Sequence, residues 1–458
     1  MRVTPLPQRS LAEFVPLIQR PYSVVLDSSD LTHYDSQYSY IGFDPYSIIT
    51  VQGDCVTQQF RGVSDPEKYK GVHSFFQALC NKWIDKSSNE TQFTGGLMGY
   101  MSYESMTQFS DFLHLKTKEN KGLPDMIWGI YDRVICMDHK GDQCSLIVRD
   151  DMTQQPFTVL MLNEMLKEET VCEPFTLQSE IHGPEYEAYK VGVDTILDWI
   201  RKGHTYQVNF SQRYQALFRG DPLSLYLKLR RSTSSSYGAY LNYPMVQICS
   251  TSPELFVSKV GDRVITRPIK GTVARGDSVR LDLLNKQCLR QSVKDKAELT
   301  MIVDLERNDL RRVCQTGTVS VGDMYRLESF SHVHHLVSDV SGTLRASCSV
   351  WDVIVALFPG GSITGAPKIR SVELIDMLEL YPRFVYTGCI GCIGFNGMMK
   401  LNIAIRTLYA HNEMVFFHSG CGIVSDSDPE KEWREFVAKA QGIYSVLDVT
   451  SGKLKNKV

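Results

Sequence analysis

The sequence predicts an α+β fold in which short strands outnumber amphipathic helices. Between residues 22 and 59, runs rich in β-branched residues alternate with turn residues, a pattern typical of strands joined in hairpins. From 193 to 200, apolar residues recur at helical spacing and predict one buried helix face. From 206 to 211, apolar residues alternate with amides and a hydroxyl, which predicts a strand with one polar face.

Other segments add elements of both kinds. Residues 72–83 predict a helix, and residues 128–137 and 144–148 predict two strands joined by a turn. The polar segment 150–184 contains a predicted helix at 158–168 and then a linker. This segment is therefore the best candidate boundary in the chain.

The boundary divides an N-terminal region, residues 1–150, from a C-terminal core, residues 180–450. Both regions are rich in predicted strands. We therefore expect them to share one hydrophobic core and to form one structural unit.

Composition and charge exclude several classes of function. The 458 residues carry a net charge of −3, which gives no basic surface for nucleic acid or an anionic membrane. The first ten residues lack the apolar core of a secretory signal, and no run of about 18 apolar residues occurs. We therefore expect a cytoplasmic protein whose twelve scattered cysteines are reduced.

The hexad Arg267–Thr272 holds the most distinctive candidate group. A short apolar run before it predicts a strand, and Pro268 should end that strand because proline has no N–H to donate. Gly271 allows the backbone to turn or to approach a ligand closely. The amine of Lys270 would then be fixed at the end of a strand.

This hexad resembles the Pro-Ile-Lys-Gly-Thr motif of the chorismate-utilising enzymes. Further segments resemble motifs of the same family, in the same order, over about 170 residues: Ser252–Phe256, Lys294–Glu298, Met301–Leu310, His334–Ser338, Phe358–Lys368, Ile405–Thr407 and Gly420–Val424. Each motif is weak alone, but together they identify the chain as a member of this family. The resemblance implies a two-lobed α/β sandwich of largely antiparallel sheets with outer helices, with the active site between the lobes.

Lys270 indicates one branch of the family. Anthranilate synthases usually carry alanine at this position, whereas lysine resembles the aminodeoxychorismate synthase branch. The resemblance therefore implies amination of chorismate at C4 to 4-amino-4-deoxychorismate, in p-aminobenzoate and folate synthesis. The alternatives are anthranilate synthase, isochorismate or salicylate synthase, and a non-catalytic regulator that binds chorismate or tryptophan.

The resemblance also implies a magnesium site. In the family, glutamates matching Glu298, Glu432 and Glu435 hold Mg²⁺ against the ring carboxylate of chorismate. Glu432 and Glu435 are spaced i, i+3 on the last predicted helix, so they share a face with Lys439. Carboxylate oxygens are ligands that Mg²⁺ prefers.

Several residues are candidates for binding the substrate. Gly420, Cys421 and Gly422 resemble a glycine triplet of the family whose backbone N–H groups meet a carboxylate, and Cys421 departs from that pattern. Arg406 offers a planar fork for the enolpyruvyl carboxylate. The remaining candidates are Lys439 as a point charge, Thr272 as a polar contact, and Thr364 and Gly365 in a segment similar to the family's substrate wall.

Three residues are the candidate catalytic groups. Glu254 would protonate the departing C4 hydroxyl if burial raises its pKa. Lys270 would attack C2 as a neutral amine, and ammonia would then attack C4 and expel the lysine. The register of the family motif places His335 near the ring of chorismate, and His332 and His334 are the alternatives for this role.

Two partners are expected besides chorismate and ammonia. The sequence has no nucleophilic cysteine in a Gly-x-Cys-x-Gly setting, so we expect a separate glutaminase subunit to supply ammonia. The loop around Ser39 resembles an N-terminal segment in which some family members use a serine to line a tryptophan pocket. Two interpretations of this loop, a tryptophan site at Ser39 and an ordinary hairpin loop, both remain possible from the sequence.

Overall fold

Antiparallel strands make up most of the computed structural model, which describes residues 1–84, 90–109, 115, 122–152, 156–330 and 333–447. The strands are β1 (Arg2–Leu6), β2 (Ser23–Asp27), β3 (Tyr38–Gly42), β4 (Ser47–Gln52), β5 (Cys55–Phe60), β6 (Glu67–Lys70), β7 (Gly96–Met101), β8 (Met126–Tyr131), β9 (Arg133–Asp138), β10 (Gln143–Val148), β11 (Thr176–Leu177), β12 (Gln207–Arg219), β13 (Tyr237–Tyr243), β14 (Val246–Ser252), β15 (Leu255–Val260), β16 (Arg263–Thr266), β17 (Ile269–Ala274), β18 (Ser320–Val321), β19 (Arg326–Ser329), β20 (Val333–Val337), β21 (Val340–Thr343), β22 (Gly365–Ala366), β23 (Cys389–Gly394), β24 (Met399–Ile403), β25 (Thr407–His411) and β26 (Met414–Ile423).

The α-helices are distributed along the whole of the described chain. They are α1 (Val15–Ile18), α2 (Val72–Trp83), α3 (Val159–Leu166), α4 (Tyr186–Arg201), α5 (Pro222–Ser232), α6 (Val279–Gln291), α7 (Val293–Arg311), α8 (Val350–Leu357), α9 (Lys368–Leu378) and α10 (Pro429–Leu447). The predicted helices at 72–83 and 158–168 correspond to α2 and α3. None of the helices that the structure describes is both long and apolar enough to cross a bilayer.

Two large sheets and one small sheet organise these strands. A 12-stranded sheet has the order β1-β10-β9-β3-β2-β13-β14-β25-β26-β12-β11, with β22 also pairing with β12. An 11-stranded sheet has the order β18-β21-β16-β15-β24-β23-β7-β8-β4-β5-β6, and a 3-stranded sheet has the order β17-β20-β19. Strands from before residue 150 and after residue 180 occur in both large sheets.

The two large sheets pack face to face. One buried apolar cluster takes Val24 and Leu241 from the 12-stranded sheet, and Ile48, Met98 and Ile390 from the 11-stranded sheet. A second cluster lies between the sheets and the helices, with residues such as Trp351 of α8 and Phe436 of α10. The predicted α+β sandwich of antiparallel sheets with outer helices is therefore the fold of this chain.

One predicted strand is two strands in different sheets. Residues 128–137 read as a single run, but β8 belongs to the 11-stranded sheet and β9 to the 12-stranded sheet. Asp132 stands at the break, and its buried carboxylate pairs with Arg61 Nη2 at 2.6 Å. The prediction of one strand was wrong because both halves are apolar, and only the ion pair and the sheet packing mark the crossover.

The small sheet carries the hexad. β16 ends at Thr266 and β17 begins at Ile269, so Pro268 separates two strands as the sequence predicts. Gly271 has φ +72°, and the register of β17 against β20 shifts between Lys270 and Thr272. A Cβ on Gly271 would lie 2.9 Å from Asp295 of α7, so glycine permits both this bulge and the close helix.

Candidate active site

Lys270 lies in a polar pocket beside the 12-stranded sheet. Its Nζ donates to the Ser362 carbonyl at 3.0 Å, and it lies 3.7 Å from the point that a Cβ on Gly422 would occupy. Burial lowers the pKa of the amine, although the nearby carboxylate of Glu298 opposes that shift. The result is an amine that loses its proton more readily than an exposed lysine.

Glu254 lies next to the hexad that carries Lys270. The side chain is 4% exposed, and Oε1 is 3.5 Å from the backbone nitrogen of Ile269. Burial raises the pKa of this carboxyl group. A carboxyl group whose pKa is raised, close to an amine whose pKa is lowered, has the properties of a general acid.

A second buried carboxyl group, Glu306 of α7, was not predicted as a site residue. Its Oε2 accepts from Thr266 Oγ1 at 2.9 Å, and burial raises its pKa to about 8. Charge on Glu254 also raises this pKa, which indicates that the two groups are close. Glu306 lies inside a recognised motif, but only the tertiary structure shows that it turns inward.

Two of the three glutamates predicted to bind metal pair with the same lysine, and the third pairs with another lysine nearby. Lys294 Nζ lies 3.9 Å from Glu298 and 3.5 Å from Glu432, although these glutamates belong to different helices. Glu435 is on the same turn of α10 as Glu432 and pairs with Lys439 Nζ at 2.7 Å. The structure therefore brings together residues that are more than 130 positions apart in the sequence.

This carboxylate cluster fits a magnesium ion. Glu432 and Glu435 offer carboxylate oxygens within 4.8 Å of each other, and Glu298 approaches them across the shared Lys294. The ammonium groups of Lys294 and Lys439 lie beside these carboxylates as counter-charges. Cys421 Sγ also lies within 4.8 Å of the carboxylate oxygens of Glu432 and Glu435. Burial raises the pKa of this thiol to about 12, so it stays protonated and adds no charge to the set.

Gly420, Cys421 and Gly422 do not form the predicted nest. They continue β26 as an extended strand, and none of the three has the left-handed φ that a nest requires. The Cys421 side chain points to the opposite side from the two glycines, towards the Glu432 carbonyl. A side chain at position 421 therefore does not reshape the backbone.

The strand edge still offers N–H donors. Opposite Gly422 and Gly420, Asn209 N–H donates to the Thr364 carbonyl and Ser211 N–H to Glu379, both at 2.8 Å. Asn209 and Gly422, and likewise Ser211 and Gly420, therefore face each other without exchanging hydrogen bonds. In such pairs the N–H groups of the two glycines point away from β12. β25 pairs with β26 only as far as Phe417, so the glycine N–H groups face an open edge.

Two cationic side chains lie near this edge. Lys439 Nζ is 3.3 Å from the Gly420 carbonyl. Arg406 has φ +48° at the start of β25 and is half-buried. Across the part of the chain that the structure describes, no carboxylate pairs with the Arg406 guanidinium, which leaves both arms of the fork available for an anion.

His335 and Thr272 form one unit on the small sheet. A hydrogen bond of 2.9 Å joins Thr272 Oγ1 and His335 Nδ1, while His335 Nε2 has no partner among the described residues. Burial and the charge of Arg406 lower the pKa of His335 to about 3, so the ring is neutral. Of its competitors, His334 is committed to Ser329 and Asp282, and His332 lies outside the described residues.

Thr364 and Gly365 have a supporting position. The Thr364 hydroxyl donates to the Gly360 carbonyl at 2.9 Å and is fully buried. A Cβ on Gly365 would lie 2.0 Å from the Gln207 carbonyl, so glycine allows close packing against β12. Both residues contact β12, through the Thr364 carbonyl and the backbone of Gly365, and their place in the substrate wall stays a prediction.

Ser39 is buried and hydrogen-bonded within the 12-stranded sheet. Its hydroxyl is within hydrogen-bond distance of Asp27 Oδ1 at 3.1 Å and His139 Nε2 at 2.8 Å. Its neighbours Tyr38 and Tyr40 line a cavity of about 90 Å³ between the two large sheets, because alternate residues of β3 face opposite sides. A tryptophan pocket at Ser39 and an ordinary hairpin loop both stay open as predictions.

Comparison with known proteins identifies the class. The chorismate binding enzyme family matches residues 28–445, and the chain belongs to this family of chorismate-utilising enzymes. Anthranilate synthase component 1 of Neisseria gonorrhoeae is 35% identical over 462 residues, which cover 96% of this chain and 94% of the relative. Aminodeoxychorismate synthase component 1 of Bacillus subtilis is 35% identical over 461 residues, which cover 97% and 96%.

Solved structures support the same fold. Anthranilate synthase component I from Streptococcus pneumoniae superimposes with a TM-score of 0.75 at 27% identity, over 89% of this chain and 92% of that one. MenF, the menaquinone-specific isochorismate synthase from Escherichia coli, has a TM-score of 0.73 at 14% identity, over 97% and 94% of the two chains. At 14% identity, the likeness to MenF concerns the fold alone.

Proposed function

We propose that this enzyme aminates chorismate at C4 and releases 4-amino-4-deoxychorismate. The observation that carries the proposal is the amine of Lys270, whose pKa burial lowers and which lies near enough to Glu254, Glu298 and Glu435 to be affected by their charges. In the related anthranilate synthases, alanine at this position leaves no such amine. Relatives named for both activities are equally similar over the whole chain, so this side chain is what favours one reaction.

Each step uses a group of this chain. Neutral Lys270 adds at C2 of the ring, and the electron pair moves through the diene to expel the C4 hydroxyl, which takes the proton of Glu254. Ammonia then adds at C4, the electron pair returns, and the lysine leaves from C2. An amine held in place gains an effective concentration on the order of 10⁵ M in well-oriented cases.

The other residues bind and orient the substrate. Arg406 and the open edge at Gly420 and Gly422 would hold the enolpyruvyl carboxylate, with Lys439 beside them. Glu298, Glu432 and Glu435 would hold Mg²⁺, which supplies positive charge for the ring carboxylate. The neutral imidazole of His335, oriented by Thr272, presents Nε2 to the ring.

Lys270→Ala is the decisive variant. We expect strong loss of C4 amination and traces of product substituted at C2, since the space of the lysine becomes open to ammonia or water. Purified protein is incubated with chorismate, Mg²⁺ and an ammonium salt, and products are identified by mass spectrometry. Lys228→Ala, which changes an exposed lysine of α5, is the matched control and should behave as the wild type.

A covalent intermediate gives a second readout. Wild-type protein held with chorismate and no ammonia should form an adduct on the peptide that contains Lys270. Full C4 amination by Lys270→Ala would refute the covalent route. Anthranilate as the sole wild-type product would instead support the anthranilate synthase alternative.

Ammonia is expected from a separate glutaminase subunit. The chain matches its relatives named component 1 over almost their whole length, and that name is consistent with a second component. Addition of the cognate glutaminase and glutamine should replace the ammonium salt. No gain of glutamine-dependent activity would remove this partner from the proposal.

A further inference from the structure

A row of three side chains crosses the small sheet at His335. In the pairing of β17 with β20, Thr272 stands opposite His335, and in the pairing of β20 with β19, His335 stands opposite Glu328. Directly opposed residues of neighbouring strands share a face of the sheet. The face that carries His335 therefore has Thr272 on one side of it and Glu328 on the other.

The bond from Thr272 does not fix the whole imidazole ring. It joins Thr272 Oγ1 to His335 Nδ1 at 2.9 Å and restrains that one atom. The outer torsion of a histidine side chain has a broad energy profile, so one hydrogen bond leaves the tilt of the ring variable. His335 Nε2, which has no partner among the described residues, moves with that tilt. The direction of Nε2 therefore depends on a second contact.

Phe330 provides this second contact. Its ring meets the His335 ring nearly edge-on, with centroids 5.3 Å apart and an angle of 68° between the planes. This is one of the favourable arrangements of two aromatic rings. Phe330 is 7% exposed, so other residues cover the rest of its surface.

One face of Phe330 is covered by His33, which lies in the loop between β2 and β3. The two rings are stacked, with centroids 4.9 Å apart and planes at 12°. His33 is itself buried. Phe330 therefore lies between a ring of the N-terminal region and the imidazole of the candidate active site.

Hydrogen bonds hold the His33 ring at both nitrogens. The backbone N–H of Asp35 donates to His33 Nδ1 at 3.2 Å, so the ring hydrogen is on Nε2. Nε2 donates to Glu328 Oε2 at 3.2 Å, and the Tyr34 hydroxyl donates to the other oxygen of Glu328 at 2.9 Å. His33 is thus tied both to its own loop and to the end of the row that contains His335.

We propose that His33 is a positioning residue for the reaction: stacked on Phe330, it fixes the plane in which His335 presents Nε2 to the substrate ring. The proposal rests on the function proposed above, in which His335 faces the ring of chorismate. It gives the loop at residues 30–36, where the sequence predicts no site residue, a part in arranging the active site.

The test separates orientation of His335 from binding of chorismate. His33→Ala removes the support of Phe330, so kcat should fall about tenfold, less than the 10²-fold that a displacement of 1 Å can cost. KM for chorismate should change by less than about twofold, because the residues that bind its carboxylates are unchanged. Initial rates are measured over a range of chorismate concentrations at saturating ammonium chloride and Mg²⁺.

Two further substitutions of His33 separate stacking from hydrogen bonding. His33→Phe keeps a ring on Phe330 and loses both hydrogen bonds, and it should recover most of kcat. His33→Gln keeps polar atoms without a ring and should be as slow as His33→Ala. His182→Ala, which changes an exposed histidine, is the matched control and should behave as the wild type.

NMR of protein labelled with ¹⁵N-histidine gives a readout besides activity. The imidazole signals of His335, identified by their absence in His335→Gln, should shift in His33→Ala and stay in place in His182→Ala. If His33→Ala does not fold, Phe330→Leu replaces it, since leucine keeps an apolar side chain but removes the edge-on contact. The same loss of kcat is expected.

Three outcomes would overturn the positioning role of His33. They are an unchanged kcat in His33→Ala, a rise in KM as large as the fall in kcat, and equal losses in His33→Ala and His33→Phe. Product identity is scored separately. Anthranilate as the wild-type product would refute the proposed function, whereas the kcat values of the variants test the positioning of His335 whichever product forms.

Discussion

Two clusters of charged side chains lie near the hexad Arg267–Thr272, and they use different cations. The glutamate cluster consists of carboxylates paired with lysines: Glu298, Glu432, Glu435, Lys294 and Lys439. The arginine network consists of carboxylates paired with arginines: Arg267, Arg326, Asp35, Asp339 and Glu328. Arg267 is part of the hexad that carries Lys270, so the arginine network fixes the strand on which the lysine lies.

Exposure separates the two clusters. The side chains of Lys294 and Lys439 are 45% and 46% exposed, whereas that of Arg267 is 9% exposed. Arg267 contacts two carboxylates and lies over the Tyr34 ring at 5.0 Å. Its planar fork is fixed by several contacts at once, whereas each lysine is a point charge on a flexible stem.

The difference indicates two purposes. Half-exposed lysine pairs contribute little to stability, so a metal cation and a substrate anion can replace them at small cost. A buried arginine that satisfies two carboxylates is costly to remove, because charges are left without a partner. The first cluster is suited to binding and the second to holding Lys270 in position.

The largest expected effect is on activity, in Glu298→Gln. Loss of this carboxylate should reduce kcat by about 10²-fold or more, as for other groups that stabilise charge in a transition state. The urea midpoint should stay at the wild-type value. Undiminished Mg²⁺-dependent turnover would exclude Glu298 from the metal site.

The next effect is on stability, in Arg267→Met. Asp35 and Asp339 would lose their shared partner, so the free energy of unfolding should fall by about 2–3 kcal/mol, less than for a fully buried pair. Urea denaturation followed by tryptophan fluorescence measures this change. A loss no greater than that of Lys294→Met would contradict the contrast between the two clusters.

A smaller effect is expected for Lys294→Met itself. The free energy of unfolding should fall by less than in Arg267→Met, because Lys294 is half exposed, although its partner Glu432 is 4% exposed. Affinity for Mg²⁺ should increase, since a competing cation is removed from between Glu298 and Glu432. Isothermal titration calorimetry with MgCl₂ tests this, and weaker binding would show that Lys294 does not compete with the metal.

The last effect depends on pH and concerns a carboxyl group without a full counter-charge, Glu306. Burial raises its pKa to about 8 from the usual 4.5, so the stability it contributes is present below pH 4.5 and is lost as pH rises through 8. Glu306→Gln removes this loss. The melting temperature of Glu306→Gln minus that of the wild type should be about 2–4 °C larger at pH 8.5 than at pH 5. An equal difference at both pH values would mean that Glu306 does not titrate in this range.

The sequence by itself determined the family and the order of the motifs. The Pro-Ile-Lys-Gly-Thr hexad, the strand break at Pro268 and the pairing of Glu432 with Glu435 on one helix are local features. Proline and glycine restrict or free their own backbone, and helical spacing depends only on neighbouring residues. Local rules of this kind can be read without the fold.

Only the tertiary structure decided how these pieces meet. Lys294 lies between Glu298 and Glu432, the run 128–137 divides between two sheets, and His33 stacks on Phe330. Sheet pairing also makes residues 420–422 an extended strand. It likewise directs Tyr38 and Tyr40, the neighbours of Ser39, towards the cavity between the two large sheets. These outcomes depend on contacts between distant parts of the chain, where packing and burial override local preference. The sequence therefore supplies the reactive groups, and the fold decides which of them are neutral, buried and within reach of one another.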